Sequence, residues 1–324
     1  PMATYTKLNP KIIQSIADEY ELKIIESFPL EGGSGNSSFV LRDDQFSYVL
    51  TVCDDKNIKE ISKMGALLLF LESYNVPCSR LVLTSNNDRM STLNIFNKIK
   101  PVMIKKHIDG HVIKELDENM LFQVGIEVAR LNNIPSPDYL PTSHPYGLKC
   151  FSTVIGLNID IEYESWLSKE MVYLKRHNFE GLPKGLIHGD LFYDNILFTS
   201  SNRNSKAFRA FIDFEEACNY YLVFELGMGI LGCCINRNTI DLNKARAFVR
   251  GYQQERPLVD KEKESLQLFV QYAAVALSYW RFNKYNIKEP NESMASQHWQ
   301  MVEVAKNISE ILNTRFYNSI FIEN

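Results

Sequence analysis

The sequence predicts an α+β protein of two lobes, with a β-rich N-terminal lobe and a mostly helical C-terminal lobe. Its 324 residues are about twice the length of a typical domain. Short runs of strand chemistry separated by turn residues dominate the first hundred positions, and long stretches of helical apolar periodicity follow them. We therefore expect an N-terminal lobe over residues 1–106 and a C-terminal lobe over residues 107–324.

The N-terminal lobe is expected to be a β-meander with two helices, and the C-terminal lobe a set of helices interrupted by short strands. For the N-terminal lobe, apolar spacing and turn chemistry predict helices at 10–20 and 58–71 and strands at 22–28, 38–42, 47–53, 81–84, 93–96 and 101–107. For the C-terminal lobe, they predict helices at 117–132, 159–177, 221–235, 241–254, 260–282 and 293–313, with a strand-rich insert at 186–214.

The composition excludes several classes of protein and partner. Apolar residues make up 45% of the chain and charged residues 23%, as in an ordinary globular protein. The 35 Lys and Arg nearly balance the 39 Asp and Glu, and no long basic run offers a footprint for nucleic acid or an anionic membrane. The six cysteines form no C-x-x-C pair, and no signal peptide or spanning stretch is evident. We expect a cytoplasmic protein with a small-molecule partner, and the oligomeric state has no signal in the sequence.

Two segments carry the chemistry, residues 188–198 and residues 211–215. Asp190 follows an apolar strand, and Asn195 opens a second one. If 196–199 pairs with 207–212 as a hairpin, its open end brings Asn195 beside Asp213. One amide and one carboxylate suit a Mg²⁺ ion that bridges to a nucleotide, and Asp190 fits a general base for an attacking hydroxyl. The alternative is that Asp190 is a turn residue and Asp213 a strand-end cap.

These segments resemble the aminoglycoside and choline kinase family of phosphotransferases, which has the bilobal protein-kinase-like fold, and within it bacterial homoserine kinases of that fold. The resemblance rests on His188 to Phe198, on Phe211 to Asn219, and on the segments Gly35–Phe39 and Tyr48–Val52. It implies an ATP- and Mg²⁺-dependent kinase that phosphorylates a hydroxyl group of a small, amine-bearing metabolite such as homoserine, with the active site in the cleft between the lobes. Choline, ethanolamine and aminoglycosides stay open as acceptors.

The resemblance also assigns roles to individual residues. Asp190 is implied to be the catalytic base, and Asn195 and Asp213 the magnesium ligands. The implied nucleotide-binding residues are Gly33, Ser34, Gly35, Asn36, Ser37 and Thr51. By itself the glycine segment 32–36 is more typical of a hairpin turn than of a phosphate-binding loop. Its place ahead of a β-meander, together with the catalytic segment downstream, reverses that preference and favours the loop.

One departure concerns the third strand, where most kinases carry a lysine that contacts the phosphates and pairs with an acid on the next helix. Thr51 stands at that position here, and Glu60 on the following helix lacks the expected mate. The departure is either a trait of a subgroup or the mark of a nucleotide-binding pseudokinase.

Four further side chains of the C-terminal lobe have expected roles. For the acceptor, Glu215 fits recognition of an ammonium group, and Arg281 fits recognition of a carboxylate. Glu225 is expected to brace the loop that carries Asp190. His188 is expected to bond to the backbone of that same loop.

Overall fold

The structure is a computed structural model that describes residues 6–30, 36–54, 56–95, 97–199 and 206–322. Its contacts divide the chain into two compact units. One, here called the sheet unit, extends to Gly110 and adds Ala210–Ile212; the other, the helical unit, contains His111–Arg209 and the chain from Asp213 onward. The division of the protein into functional lobes at residues 106 and 107 stays a proposal.

The sheet unit is an antiparallel sheet with two helices. In chain order its elements are α1 (Pro10–Asp18), β1 (Glu26–Leu30), β2 (Asn36–Arg42), β3 (Ser47–Cys53), α2 (Ile58–Ser73), β4 (Leu81–Val82), β5 (Ser91–Ile95) and β6 (Lys98–Lys106). In the described part of the chain the strand order is β1-β2-β3-β6-β4, with β5 also paired to β6. Alternating burial along β2 and β3 places Leu41, Leu50 and Val52 in a core that includes Ile13 and Ile16 of α1.

The helical unit follows the predicted pattern closely. In chain order its elements are β7 (His111–Val112), α3 (Glu118–Asn133), α4 (Ile161–Arg176), β8 (Lys184–Ile187), β9 (Ile196–Phe198), β10 (Phe208–Phe211), β11 (Cys218–Tyr221), α5 (Leu222–Cys233), β12 (Ile235–Asn236), β13 (Thr239–Ile240), α6 (Leu242–Glu255), α7 (Asp260–Phe282), α8 (His298–Ser309) and α9 (Asn313–Phe321); the last two residues of β10 are counted with the sheet unit. The expected helix at 293–313 is wrong in extent, because the structure has α8 and then a separate helix α9. No helix in the described ranges is long and apolar enough to cross a membrane.

Three helix pairings set the core of the helical unit. The buried residues of α7 pack against α5 and α8, and α3 packs against α6. Glycine permits the close approach of α3 and α6, since a Cβ at Gly125 would lie 2.1 Å from the Phe248 carbonyl oxygen, and one at Gly251 would lie 2.0 Å from that of Phe122. This rigid helical scaffold holds β8 and β11, which pair antiparallel and support the predicted chemical segment.

Candidate active site

Residues 188–195, here called the Asp190 loop, join two buried strands. The loop begins where β8 ends at Ile187, and β9 begins directly after it at Ile196. Asn195 closes the loop, because its side-chain amide donates to the Asp190 carbonyl oxygen at 2.8 Å and to the Asp190 carboxylate Oδ2 at 3.1 Å. The five positions from Asp190 to Asn195 therefore form one loop that these two hydrogen bonds close. The sequence predicted this pair, and the structure brings it together.

The Asp190 carboxylate is held from two sides and has an elevated proton affinity. Its Oδ1 accepts a hydrogen bond from the Tyr146 hydroxyl at 2.9 Å, while Oδ2 accepts one from Asn195. Burial, and to a lesser degree the charges of Asp213 and Asp194, raise the pKa of Asp190, whereas the two hydrogen bonds lower it; together these effects raise the pKa to about 6. Near neutral pH this carboxylate is ionised and is basic enough to accept a proton.

The predicted hairpin forms and places Asp213 near the Asp190 loop. Strands β9 and β10 are neighbours in a sheet of order β10-β9-β7, and the Thr199 N–H donates to the Ala207 carbonyl oxygen at 2.8 Å. Asp213 follows β10 with a positive φ of 62°, a left-handed conformation that Asp tolerates better than most residues. Its charge acts on Asp190, so the two carboxylates share one neighbourhood.

Asn195 and Asp213 fit a divalent cation by the chemistry of their donors. The Asn195 amide nitrogen is engaged by Asp190, which leaves the amide carbonyl oxygen directed away from that residue. Mg²⁺ takes one or two protein carboxylates together with waters and phosphate oxygens, so this small donor set is sufficient. Among the described residues no group of three or more His, Cys, Asp and Glu side chains could hold a metal ion. With only two protein donors, most coordination positions of a Mg²⁺ ion would be left to waters and phosphate oxygens.

Glu225 on α5 braces the start of the Asp190 loop, as expected. The side chain is fully buried, and its carboxylate accepts the backbone N–H groups of His188 at 2.7 Å and Gly189 at 3.0 Å. Burial raises the pKa of Glu225, and its electrostatic interaction with His188 together with the two backbone hydrogen bonds opposes that rise. His188 itself accepts the Asp190 N–H through Nδ1 at 3.3 Å, which is the structural role expected for it.

His144 and Tyr146 were missed by the sequence reasoning. His144 contacts the Gly189 carbonyl oxygen through Nε2 at 2.7 Å, and Tyr146 donates to Asp190. Both lie in an irregular segment between α3 and α4, where no periodicity or spacing links them to a loop more than forty positions later. The residue chemistry offered one indication. A buried carboxylate needs hydrogen-bond donors, and the segment from Ser143 to Gly147 holds two polar rings among turn residues.

Of the predicted nucleotide-binding residues, Asn36, Ser37 and Thr51 lie in the sheet unit. Gly33, Ser34 and Gly35 lie outside the described residues. Asn36 and Ser37 open β2, and Thr51 on β3 pairs with Ser38, whose hydroxyl oxygen is 3.5 Å from that of Thr51. The Ser37 hydroxyl donates to Asp54 at 2.5 Å and accepts the Thr6 N–H at 2.7 Å. Because the Ser37 hydroxyl already makes these two hydrogen bonds, Ser37 would contact a nucleotide through its backbone.

The structure explains why Glu60 has no lysine partner on the third strand. Glu60 belongs to a capping box at the start of α2, where its carboxylate accepts the Asn57 N–H at 2.8 Å and its own N–H donates to the Asn57 side chain at 3.1 Å. A lysine–acid pair of this sheet is Lys100 with Asp54, and its hydrogen bonds include the Thr6 hydroxyl. Glu60 therefore stabilises the start of its own helix, α2.

The two predicted acceptor-binding residues have different settings. Glu215 lies two positions after Asp213 and is partly buried. Arg281 lies near the end of α7, where its Nη1 donates to the Gln297 carbonyl oxygen at 3.1 Å and to the Gln300 side chain at 2.9 Å. Arg281 is thus engaged with the residue before α8 and with the first turn of α8.

Comparison with known proteins places this geometry in a family. Residues 28–258 match the APH phosphotransferase enzyme family, which is most of the chain. The chain belongs to this family. Homoserine kinase from Gluconobacter oxydans is 27% identical over 285 residues, which cover 85% of this chain and 87% of that enzyme.

Two solved structures share the fold. A microcompartment-associated aminopropanol kinase matches with a TM-score of 0.72 at 17% identity, covering 97% of this chain and all of that one. An amicoumacin kinase in complex with AMP-PNP and Ca²⁺ matches with a TM-score of 0.69 at 14% identity, covering 95% and 97% of the two chains. The predicted α+β protein-kinase-like fold is confirmed.

Membership of this phosphotransferase family establishes the class of reaction. The protein is an ATP-dependent phosphotransferase that acts on a hydroxyl group of a small molecule. The prediction of an aminoglycoside and choline kinase-like enzyme is confirmed, and the pseudokinase alternative is set aside. The chain therefore has Thr51 at the position of the usual lysine and is nevertheless an enzyme.

Proposed function

We propose that this phosphotransferase is a homoserine-kinase-like enzyme that uses ATP and Mg²⁺. The observation that carries the proposal is the Asp190 loop, in which a basic carboxylate is closed onto Asn195 with Asp213 close by. Support for the acceptor comes from the curated relatives, which include several bacterial homoserine kinases that cover about 85% of the chain. Homoserine offers a primary hydroxyl, an ammonium and a carboxylate group.

In the proposed reaction the acceptor hydroxyl attacks the γ-phosphorus of ATP. A new oxygen–phosphorus bond forms, the bond between the γ-phosphorus and the β–γ bridging oxygen breaks, and ADP leaves. Asp190 accepts the hydroxyl proton, since its carboxylate is ionised near neutral pH. Asn195 and Asp213 would hold Mg²⁺, which when bound neutralises charge on the phosphates.

The remaining roles concern binding of the two substrates. The segment Gly33–Ser37 with Thr51 would contact the nucleotide, with backbone N–H groups serving the phosphates. Glu215 would face the acceptor ammonium. Arg281 is the candidate for the acceptor carboxylate, because its guanidinium has further N–H donors on Nε and Nη2 besides those that Nη1 gives to Gln297 and Gln300.

An acceptor panel tests the proposal. Purified protein is incubated with ATP and homoserine, choline, ethanolamine or kanamycin, and phosphorylated product is measured by mass spectrometry. 2-Aminobutyrate, which is homoserine without the hydroxyl, is the matched control. We expect phosphorylated homoserine, no product with 2-aminobutyrate, and loss of activity on chelation of Mg²⁺ that added Mg²⁺ restores. Turnover of choline or kanamycin with none of homoserine contradicts the proposed acceptor.

A further inference from the structure

Tyr146 makes a contact with Asp190 that the reaction as described so far does not use. The Tyr146 hydroxyl oxygen lies 2.9 Å from Asp190 Oδ1 and 3.4 Å from the Gly189 carbonyl oxygen. Asn195 donates to the other carboxylate oxygen at 3.1 Å. The carboxylate therefore has a donor on each oxygen, one from an irregular segment and one from its own loop.

Two donors fix the plane of the carboxylate. The terminal torsion of an Asp side chain is broad, so an isolated carboxylate samples many orientations about its last bond. A phenol on Oδ1 and an amide on Oδ2 hold Asp190 in one orientation. Each carboxylate oxygen has two acceptor positions, so a position remains for an acceptor hydroxyl after these contacts are made.

Tyr146 can act as a fixed donor because its own ring is held. The side chain is 4% exposed, and its ring packs edge to face on His144 with ring centres 4.2 Å apart. His144 is held in turn by the Gly189 carbonyl oxygen at 2.7 Å and by the ring of Phe224 at 4.7 Å. The donor and the loop that it orients therefore share one buried support.

We propose that Tyr146 is a positioning residue for phosphoryl transfer, which holds the Asp190 carboxylate in the orientation that receives the acceptor proton. The inference rests on the proposed role of Asp190 as the base. Tyr146 keeps its own proton throughout, and the proton released by the acceptor goes to Asp190. Its effect is on orientation, so it alters the rate of the chemical step and leaves substrate binding unchanged.

The test compares Tyr146→Phe with Tyr163→Phe. Tyr163 is also a fully buried tyrosine, but its hydroxyl contacts Ser278 at 3.0 Å and does not contact the Asp190 loop. With homoserine and ATP, we expect Tyr146→Phe to lower kcat by about 10- to 100-fold. KM for both substrates should stay within twofold, and thermal stability should match that of Tyr163→Phe. The slow transfer to water, measured as ATP hydrolysis without an acceptor, should fall in parallel and gives a readout that is independent of the acceptor.

A double-mutant cycle separates orientation of Asp190 from any other role of Tyr146. In an Asp190→Asn background, removal of the Tyr146 hydroxyl should change the residual rate by less than twofold, because its target is already lost. A full loss of rate in that background overturns the inference, as does a Tyr146→Phe enzyme with the kcat of Tyr163→Phe. If Asp190→Asn retains full activity, the assignment of Asp190 as the base is wrong. If Asp190→Asn loses activity but Tyr146→Phe retains it, the assignment of Asp190 stands and only the role of Tyr146 is wrong.

Discussion

The carboxylate of Glu225 holds the backbone of Gly189, accepting its N–H at 3.0 Å while also accepting that of His188 at 2.7 Å. This contact anchors the Asp190 loop to a fully buried residue of α5. On the next peptide group, His144 contacts the Gly189 carbonyl oxygen at 2.7 Å. Gly189 is therefore fixed through both its donor and its acceptor, directly before the proposed base.

Replacement of Glu225 by Gln should weaken this anchor. A Gln side chain has one acceptor oxygen, so one of the two N–H groups would face an amide NH₂ in a buried site. We expect the free energy of unfolding to fall by about 2 kcal/mol and kcat to fall together with it. Denaturant unfolding and steady-state kinetics measure the two effects. A Glu225→Gln protein with unchanged stability and unchanged kcat contradicts the bracing role.

Replacement of Gly189 by Ala should disrupt the Asp190 loop by a steric route. Gly189 has φ +84°, and a Cβ there would lie 2.4 Å from the Glu216 carbonyl oxygen. Gly181 is the matched control, since its φ is +76° and a Cβ would meet nothing within 4 Å. We expect Gly181→Ala to cost about 1 kcal/mol of stability with normal kcat. Gly189→Ala should cost more and lose most activity, and equal effects of the two variants would refute the steric argument.

The sequence predicted the residues whose spacing is local and missed those brought together by tertiary packing. Asp190 and Asn195 are one turn apart, and Asp213 follows the return strand of a hairpin with recognisable apolar strands. Tyr146 and His144 come from an irregular segment whose approach to the loop depends on packing against α5 and α7. No periodicity records such an approach, so only the structure reveals it.

The predicted helices show the same difference between features set by local sequence and features set by tertiary packing. Most predicted helices lie within a few residues of the observed ones, because their apolar stripes face a core. The predicted helix at 293–313 is wrong because the helical conformation is interrupted between α8 and α9. Gln267 donates there to the carbonyl oxygens of Ile308 and Ile311, which lie at and just after the end of α8. A side chain from another helix decides that end, and local sequence does not encode it.

His144 should make stability depend on pH. Burial lowers the pKa of His144 to about 4, while the unfolded chain titrates near 6.5, so the unfolded state binds more protons between these values. Stability is therefore full above pH 6.5 and falls as the pH drops towards 4, by about 3 kcal/mol from this residue. His144→Gln lacks the titrating group. The difference in unfolding free energy between the two proteins should change across this window, and a constant difference would show that His144 does not contribute.

Glu60→Gln should leave catalysis intact. In kinases with a third-strand lysine, the acid on the next helix pairs with it, but here Glu60 caps its own helix. Gln also serves as the third residue of a capping box, so we expect kcat within twofold and unchanged stability. Glu60→Ala should retain kcat while losing about 1 kcal/mol of stability. A large fall in kcat for Glu60→Gln, measured with saturating ATP, would indicate a phosphate-site role instead.

The central claim is that Asp190 is the base of the phosphoryl transfer, and Asp190→Asn tests it most directly. Asp194→Asn is the matched control, because it removes the same charge from an exposed position of the same loop. Both proteins are assayed for phosphorylated product from ATP and homoserine, with nucleotide binding measured separately. We predict that Asp190→Asn binds ATP normally and loses at least about 100-fold in kcat, while Asp194→Asn retains most of its activity. Full phosphotransfer by Asp190→Asn would contradict the account.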